Sequence, residues 1–119
     1  MGGLRCGEVS RAAFDTVLSI VKAYVAIEDR WAFDAMRQLA SGAGGDPVVE
    51  SGASGAAALG GLLAAFRDAT VAGLREQLNL GRGARVLAFV TEGVTDPELF
   101  AAVVGRPTSG QSGSKTREP

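Results

Sequence analysis

Thr91 stands directly after the apolar run Arg85–Val90, which is rich in residues that favour strands. Gly93 follows it in a predicted turn. In open α/β sheets, ligands bind beyond the carboxyl ends of the strands. We therefore expect the Thr91 hydroxyl to touch a bound group. Asp96 and Pro97 also predict a helix N-terminus just downstream, with Asp96 as the N-cap, and that structural role is compatible with the functional one.

Two further segments combine polar side chains with glycines. Glu50–Ala56 reads Glu-Ser-Gly-Ala-Ser-Gly-Ala and sets a carboxylate before a glycine turn. The structural alternative is a strand end followed by a helix that Ser51 or Ser54 caps. Gly3–Ser10 surrounds Cys6, and its alternative is a glycine turn that ends in a serine helix cap, with Cys6 as a small buried hydrophobe.

The composition excludes several classes of function. A net charge of -1 and a pI near 5.4 argue against nucleic acid and anionic membrane as partners, since both select basic patches. The chain has no histidine and one cysteine, so we expect no metal site, no internal disulfide and no histidine-dependent nucleophile. Its lysines are Lys22 and Lys115, and no residue is assigned a catalytic role.

The N-terminus lacks the apolar stretch of a signal peptide, which predicts a cytoplasmic protein. The small-residue run from Gly52 to Ala65 is shorter than the roughly 20 residues that a membrane-spanning helix needs.

The elements that must position these residues alternate between helices and short strands. Predicted helices cover Arg11–Lys22, Arg30–Ala40 with Asp29 as cap, Ser54–Arg67, Val71–Leu78 and Pro97–Val104, and predicted strands cover Tyr24–Ile27, Val48–Val49 and Arg85–Val90. This order predicts an α/β fold with a partial parallel sheet and crossover helices. Three short strands make a poor sheet alone, so we expect part of a larger sheet, the alternative being a small self-contained α/β domain. Residues 1–105 form the predicted folded part, and 106–119 a disordered tail poor in apolar residues.

Taken together, the three segments resemble the C-terminal part of the diaminopropionate ammonia-lyases. These are lyases that depend on pyridoxal 5'-phosphate and belong to the fold type II, tryptophan synthase β-like superfamily. The segments run in the family's order and spacing and cover nearly all of residues 1–105. Arg5, Val9 and Val94 depart from the family pattern. The resemblance implies that Arg5 and Val9 do not touch the cofactor and that Val94 leaves Thr91 unaffected.

The resemblance implies a cofactor site of three residues. Thr91 would hydrogen-bond the pyridine nitrogen, Glu50 would lie beside the ring, and Gly93 would belong to the same site. The implied substrate is a small amino acid, 2,3-diaminopropionate, which β-elimination converts to pyruvate and ammonia.

The resemblance also shows what this chain lacks. The lysine that forms a Schiff base with the cofactor lies in the family's N-terminal part, and neither Lys22 nor Lys115 has its sequence context. Whether the chain is an enzyme is therefore left open, and alone it is expected to be inactive. A separate N-terminal half or a homodimer would complete it. The alternative is a non-catalytic α/β remnant or interaction module.

Overall fold

The described part of the chain is built from helices. The computed structural model describes residues 4–5 and 7–108. Within those ranges the chain forms five α-helices and two single-turn 3-10 helices. In chain order the α-helices are α1 (Arg11–Ile20), α2 (Asp29–Ser41), α3 (Ala53–Arg67), α4 (Gly73–Gln77) and α5 (Pro97–Val104), and the 3-10 turns are Ala43–Gly45 and Ala69–Val71.

The core lies between α2 and α3, and α5 packs on α2 and adds Phe100 to the same buried cluster. On α2, Trp31 and Met36 are buried on one face. The facing residues of α3 are small or aliphatic: Ala53, Ala56, Gly60, Leu63 and Ala64. Small side chains allow the two backbones to come close, and a Cβ on Gly60 would lie 2.9 Å from the Trp31 carbonyl oxygen. The α2–α3 contact therefore depends on the absence of a side chain at Gly60.

The last helix begins and ends as its sequence predicts. The Asp96 carboxylate accepts a hydrogen bond of 2.9 Å from the Leu99 N–H, and Pro97 is the first helical residue. Gly105 ends the helix in the left-handed conformation, with φ of 79°. The predicted helix Pro97–Val104 and its Asp96 cap are confirmed.

The other helix predictions are right in place and inexact at their ends. α1 ends at Ile20, so Lys22 lies beyond the helix, and none of its residues is buried. Asp29 is the first residue of α2, while Glu28 is its N-cap. The predicted helix Val71–Leu78 is split, because Asp68 accepts a hydrogen bond from the Thr70 N–H and starts a 3-10 turn before α4.

The prediction of an α/β fold with a partial parallel sheet is wrong. The structure contains no strand in residues 4–5 and 7–108. The runs Tyr24–Ile27 and Arg85–Val90 have no regular secondary structure, and Val49 donates its N–H to Leu39 at the end of α2 instead of pairing with a strand. The physical reason is that β-branched and aromatic residues suit a sheet without creating one, since a strand requires a second backbone alongside it.

The first residue of the predicted tail contacts the helices. Arg106 donates a hydrogen bond of 2.8 Å to the Ala40 carbonyl at the end of α2. Residues 109–119 of the predicted tail lie outside the described residues.

No single helix in the described ranges has the length and apolar character that crossing a membrane requires. Ala53–Arg67 and Ala69–Gln77 meet that test only as a pair, across a bend of 94°.

Candidate functional site

Two of the three segments that the sequence singles out meet at the N-terminus of α3. The Gly52 N–H donates to the Gly93 carbonyl at 2.9 Å and lies 3.3 Å from the Glu92 carbonyl. Ser51 is fully buried, and its Oγ donates to the Glu92 carbonyl at 3.2 Å and to the Gly52 carbonyl at 2.9 Å. These bonds hold the loop of residues 91–93 against the start of α3.

Glycine is required at two positions of this junction because the loop backbone lies so close. A Cβ on Gly52 would be 2.7 Å from the Gly93 carbonyl oxygen. A Cβ on Gly55 would be 2.5 Å from the Glu92 carbonyl oxygen and 2.6 Å from Ser51 Oγ. Real Cβ atoms do not approach backbone oxygens this closely. Because Gly52 and Gly55 have no side chains, the backbone of Glu92 and Gly93 can pack directly against the start of α3.

The Glu92 carboxylate adds an electrostatic contact to the junction. Thr95 Oγ1 donates a hydrogen bond to Glu92 Oε1. Hydrogen bonds from Thr95 and then from Ser54 hold the pKa of the Glu92 carboxyl below its ordinary value of 4.5, although burial opposes part of that shift. Ser54 lies in the first turn of α3, where the helix dipole also favours a negative charge. Glu92 is therefore ionised at neutral pH and anchored to α3.

Sequence reasoning missed Glu92, and only part of its role has a signal in the sequence. The spacing of Glu92 and Thr95 is typical of a side-chain hydrogen bond within a turn. The contacts of Ser51 and Ser54 with Glu92 join parts of the chain about forty residues apart, and no local pattern indicates them. Neither serine caps α3, whose N-cap is Gly52 without a side-chain hydrogen bond, so the serine-cap interpretation is wrong.

The three predicted site residues flank this junction. Thr91 and Gly93 are exposed on the loop, and a Cβ on Gly93 would meet no atom within 4 Å. Glu50 directly precedes Ser51 and is partly buried, with its Oε1 3.7 Å from Arg106 Nη1. The junction thus has the Thr91 hydroxyl and the open backbone at Gly93 on its loop, with the Glu50 carboxylate nearby.

The first segment and the two lysines fall partly outside the described residues. Gly3 and Cys6 fall outside the described residues, as does Lys115. Ser10 is the N-cap residue of α1 but makes no side-chain cap hydrogen bond. Lys22 is exposed just beyond the end of α1. Among the described residues, no three His, Cys, Asp or Glu side chains are grouped closely enough to hold a metal ion.

Comparison with known proteins confirms the resemblance read from the sequence. The chain is 36% identical over 104 residues to the diaminopropionate ammonia-lyase of Escherichia coli K12, a match that covers 87% of this chain and 26% of the relative. The enzyme of Escherichia coli O157:H7 matches to the same extent, and that of Salmonella typhimurium LT2 is 30% identical over 105 residues. The chain spans about a quarter of the length of these curated relatives. No protein-family model matches the chain, and no solved structure matches it.

Proposed function

We propose that this chain forms one wall of the cofactor site of a diaminopropionate ammonia-lyase. The single observation that carries the proposal is the junction of residues 51–52 with 92–93, which joins two of the segments that resemble the lyases. The 36% identity to the Escherichia coli enzyme supports it independently. The complete enzyme would act on 2,3-diaminopropionate and release ammonia and pyruvate by β-elimination.

The residues at the junction fit one side of pyridoxal 5'-phosphate. Thr91 is exposed on the loop of residues 91–93. Gly93 leaves its own side of the loop open, since a side chain there would meet nothing within 4 Å. A flat ring with a polar nitrogen can approach such a loop, and the Thr91 hydroxyl would bond that nitrogen.

Bound pyridoxal 5'-phosphate supplies an electron sink for the reaction at the substrate's α-carbon. The role of this chain would be to hold and orient the ring. Thr91 would bond the ring nitrogen, Gly93 would contact the ring through its backbone, and Glu50 would lie beside the ring. Because Thr91 is a neutral hydroxyl, it would bond the nitrogen without fully protonating it. The electron-withdrawing power of the ring would thereby be moderated, which favours β-elimination.

The chain alone is expected to lack activity. A lyase of this type needs a lysine to hold the cofactor and move the α-proton. Lys22 is exposed at the end of α1, a helix without buried residues, and is not part of the junction. Purified chain incubated with cofactor and diaminopropionate should release no pyruvate above a protein-free control. Robust release by the chain alone would contradict the proposal.

The direct test uses a chimera in which this chain replaces the matching segment of the Escherichia coli enzyme. Thr91→Ala should remove one hydrogen bond to a buried polar atom, at a cost of about 1–3 kcal/mol. That corresponds to a loss of roughly ten- to a hundredfold in cofactor affinity or turnover. Glu50→Ala should also weaken the site.

Two control variants make the test specific. Thr91→Ser keeps the hydroxyl and should keep most of the activity, while Lys22→Ala should have almost no effect. An active chimera that tolerates Thr91→Ala but is inactivated by Lys22→Ala would show that the cofactor lies elsewhere. A soluble but inactive chimera would favour the alternative of a non-catalytic interaction module.

A further inference from the structure

An apolar groove runs along a face of α3 other than the one that packs on α2. It has a volume of about 650 Å³ and is lined by α3, α4, the residues that follow α4, residues 25–29 at the start of α2, and residues 4–5. The lining is largely aliphatic, and typical members are Ala57, Leu62, Leu74, Ile27 and Val86. Its charged lining residues are Arg5 and Asp29. We call this feature the α3 groove.

The apolar surface continues beyond the α3 groove along residues 85–90. Leu87 and Phe89 are 78% and 71% exposed. Tyr24, next to the groove residue Val25, is 73% exposed. A contiguous apolar surface of this kind on a folded chain marks a site of interaction.

The C-terminal tail of this chain is unsuited to fill the α3 groove. Residues 109–119 read Ser-Gly-Gln-Ser-Gly-Ser-Lys-Thr-Arg-Glu-Pro and contain no aliphatic or aromatic side chain apart from the terminal proline. Burial of polar groups in an aliphatic groove without partners is unfavourable.

The length of the curated relatives indicates what covers the surface instead. In the Escherichia coli enzyme the matching 104 residues make up 26% of the polypeptide, so about three quarters of its length has no counterpart here. In that enzyme the matching segment is covalently joined to a much larger body of protein. A nearly uncharged, aliphatic surface is what such a permanent internal contact requires.

We infer that the α3 groove and residues 85–90 form the surface on which the remaining part of the lyase docks. This inference rests on the proposed function and adds to it the surface of this chain that its partner covers. The junction of residues 51–52 with 92–93 lies at the N-terminus of α3, and residues 85–90 lead directly into Thr91. Docking on this surface would therefore bring the partner next to the proposed cofactor site.

The test is co-expression of the full chain with a tagged version of the unmatched part of the Escherichia coli enzyme. The wild-type chain should co-purify with it. Ala58→Glu puts a charge on an exposed groove position of α3, and it should reduce the co-purified chain at least tenfold. Ala102→Glu is the matched control, since Ala102 is an exposed residue of α5 outside the groove lining, and it should leave co-purification unchanged.

A second matched pair guards against a local effect at one position. Val86→Asp changes a groove residue that is 51% exposed, and Val48→Asp changes a residue outside the groove lining that is 56% exposed. Only Val86→Asp should weaken association. Circular dichroism of the isolated variants should match the wild type, because all four positions are already solvent-accessible.

Three results would overturn the inference. If association survives both Ala58→Glu and Val86→Asp, the docking surface lies elsewhere. An active chimera in that case would still support the proposed function. A homodimer of the chain that Ala58→Glu dissociates would make a second copy the occupant of the groove. A wild-type chain that never co-purifies would refute the docking surface, and an inactive chimera would then show that the proposed function fails with it.

Discussion

Gly55→Ala should destabilise the fold although alanine is the better helix former. Gly55 lies in the first turn of α3 against the loop that carries Thr91. The new Cβ would be 2.5 Å from the Glu92 carbonyl oxygen and 2.6 Å from Ser51 Oγ. The first of these is a backbone atom, and it also accepts the Ser51 hydrogen bond, so it cannot move without breaking the junction.

Three effects determine the change in the free energy of unfolding: two destabilise the fold and one stabilises it. Forcing an extra methyl group into a packed site costs about 1–3 kcal/mol. Losing the hydrogen bond from Ser51 to the Glu92 carbonyl adds about 0.5–1.5 kcal/mol. Replacing glycine by alanine in a helix returns roughly 0.5–1 kcal/mol. The net loss is therefore about 0.5–4 kcal/mol, or a melting temperature lower by roughly 2–25 °C for a domain of this size.

The assay is thermal unfolding followed by circular dichroism, with Gly61→Ala as the matched control. Gly61 is also inside α3, and a Cβ there would meet no atom within 4 Å. Gly61→Ala should therefore leave the melting temperature unchanged or raise it by a few degrees. If Gly55→Ala melted at or above the wild-type temperature, the close contact between α3 and the loop of residues 91–93 would be refuted.

Three further predictions concern Glu92, Arg106 and the C-terminal residues. Because the pKa of Glu92 is lowered on folding, its carboxylate stabilises the fold fully above pH 4.5, and that contribution is lost as the pH falls through the lowered pKa. Urea midpoints at pH 7 and pH 3 should thus differ less for Glu92→Gln than for the wild type, and an equal difference would contradict this role. Arg106→Ala should lower the melting temperature by removing the hydrogen bond to Ala40, at a cost of roughly 0.5–1.5 kcal/mol. Deletion of residues 109–119 should leave the melting temperature unchanged, and a fall of many degrees would show that the tail packs.

The helices could be predicted from the sequence because their signals are local. Asp96, Pro97 and Gly105 supply a cap, a first residue and a stop within one short stretch, and α5 has those bounds. The buried residues of α2 recur three or four positions apart, as in Ala32, Ala35, Met36 and Ala40. Such signals depend on neighbours three or four positions away, which the sequence displays directly.

The sheet and the details of the site depend on partners far along the chain. The run Arg85–Val90 has the composition of a strand, but no second backbone pairs with it in the described residues. The sequence pointed to Thr91, Gly93 and Glu50, and it gave no indication that Ser51 and Glu92 lock those segments together across about forty residues. Glycine-rich composition could not show which glycines are packed and which, like Gly93, are open.

The anchored carboxylate of Glu92 has a consequence for how an anionic ligand could approach α3. The N-terminus of a helix is ordinarily a good place for a phosphate group, because its free N–H groups and its dipole attract negative charge. Here the Glu92 carboxylate already lies beside the start of α3, since a Cβ on Gly52 would be 3.1 Å from its carboxyl carbon. A phosphate brought to the same helix end would meet a like charge at short range. We therefore expect the phosphate of a cofactor held by Thr91 to be bound by protein other than the N-terminus of α3.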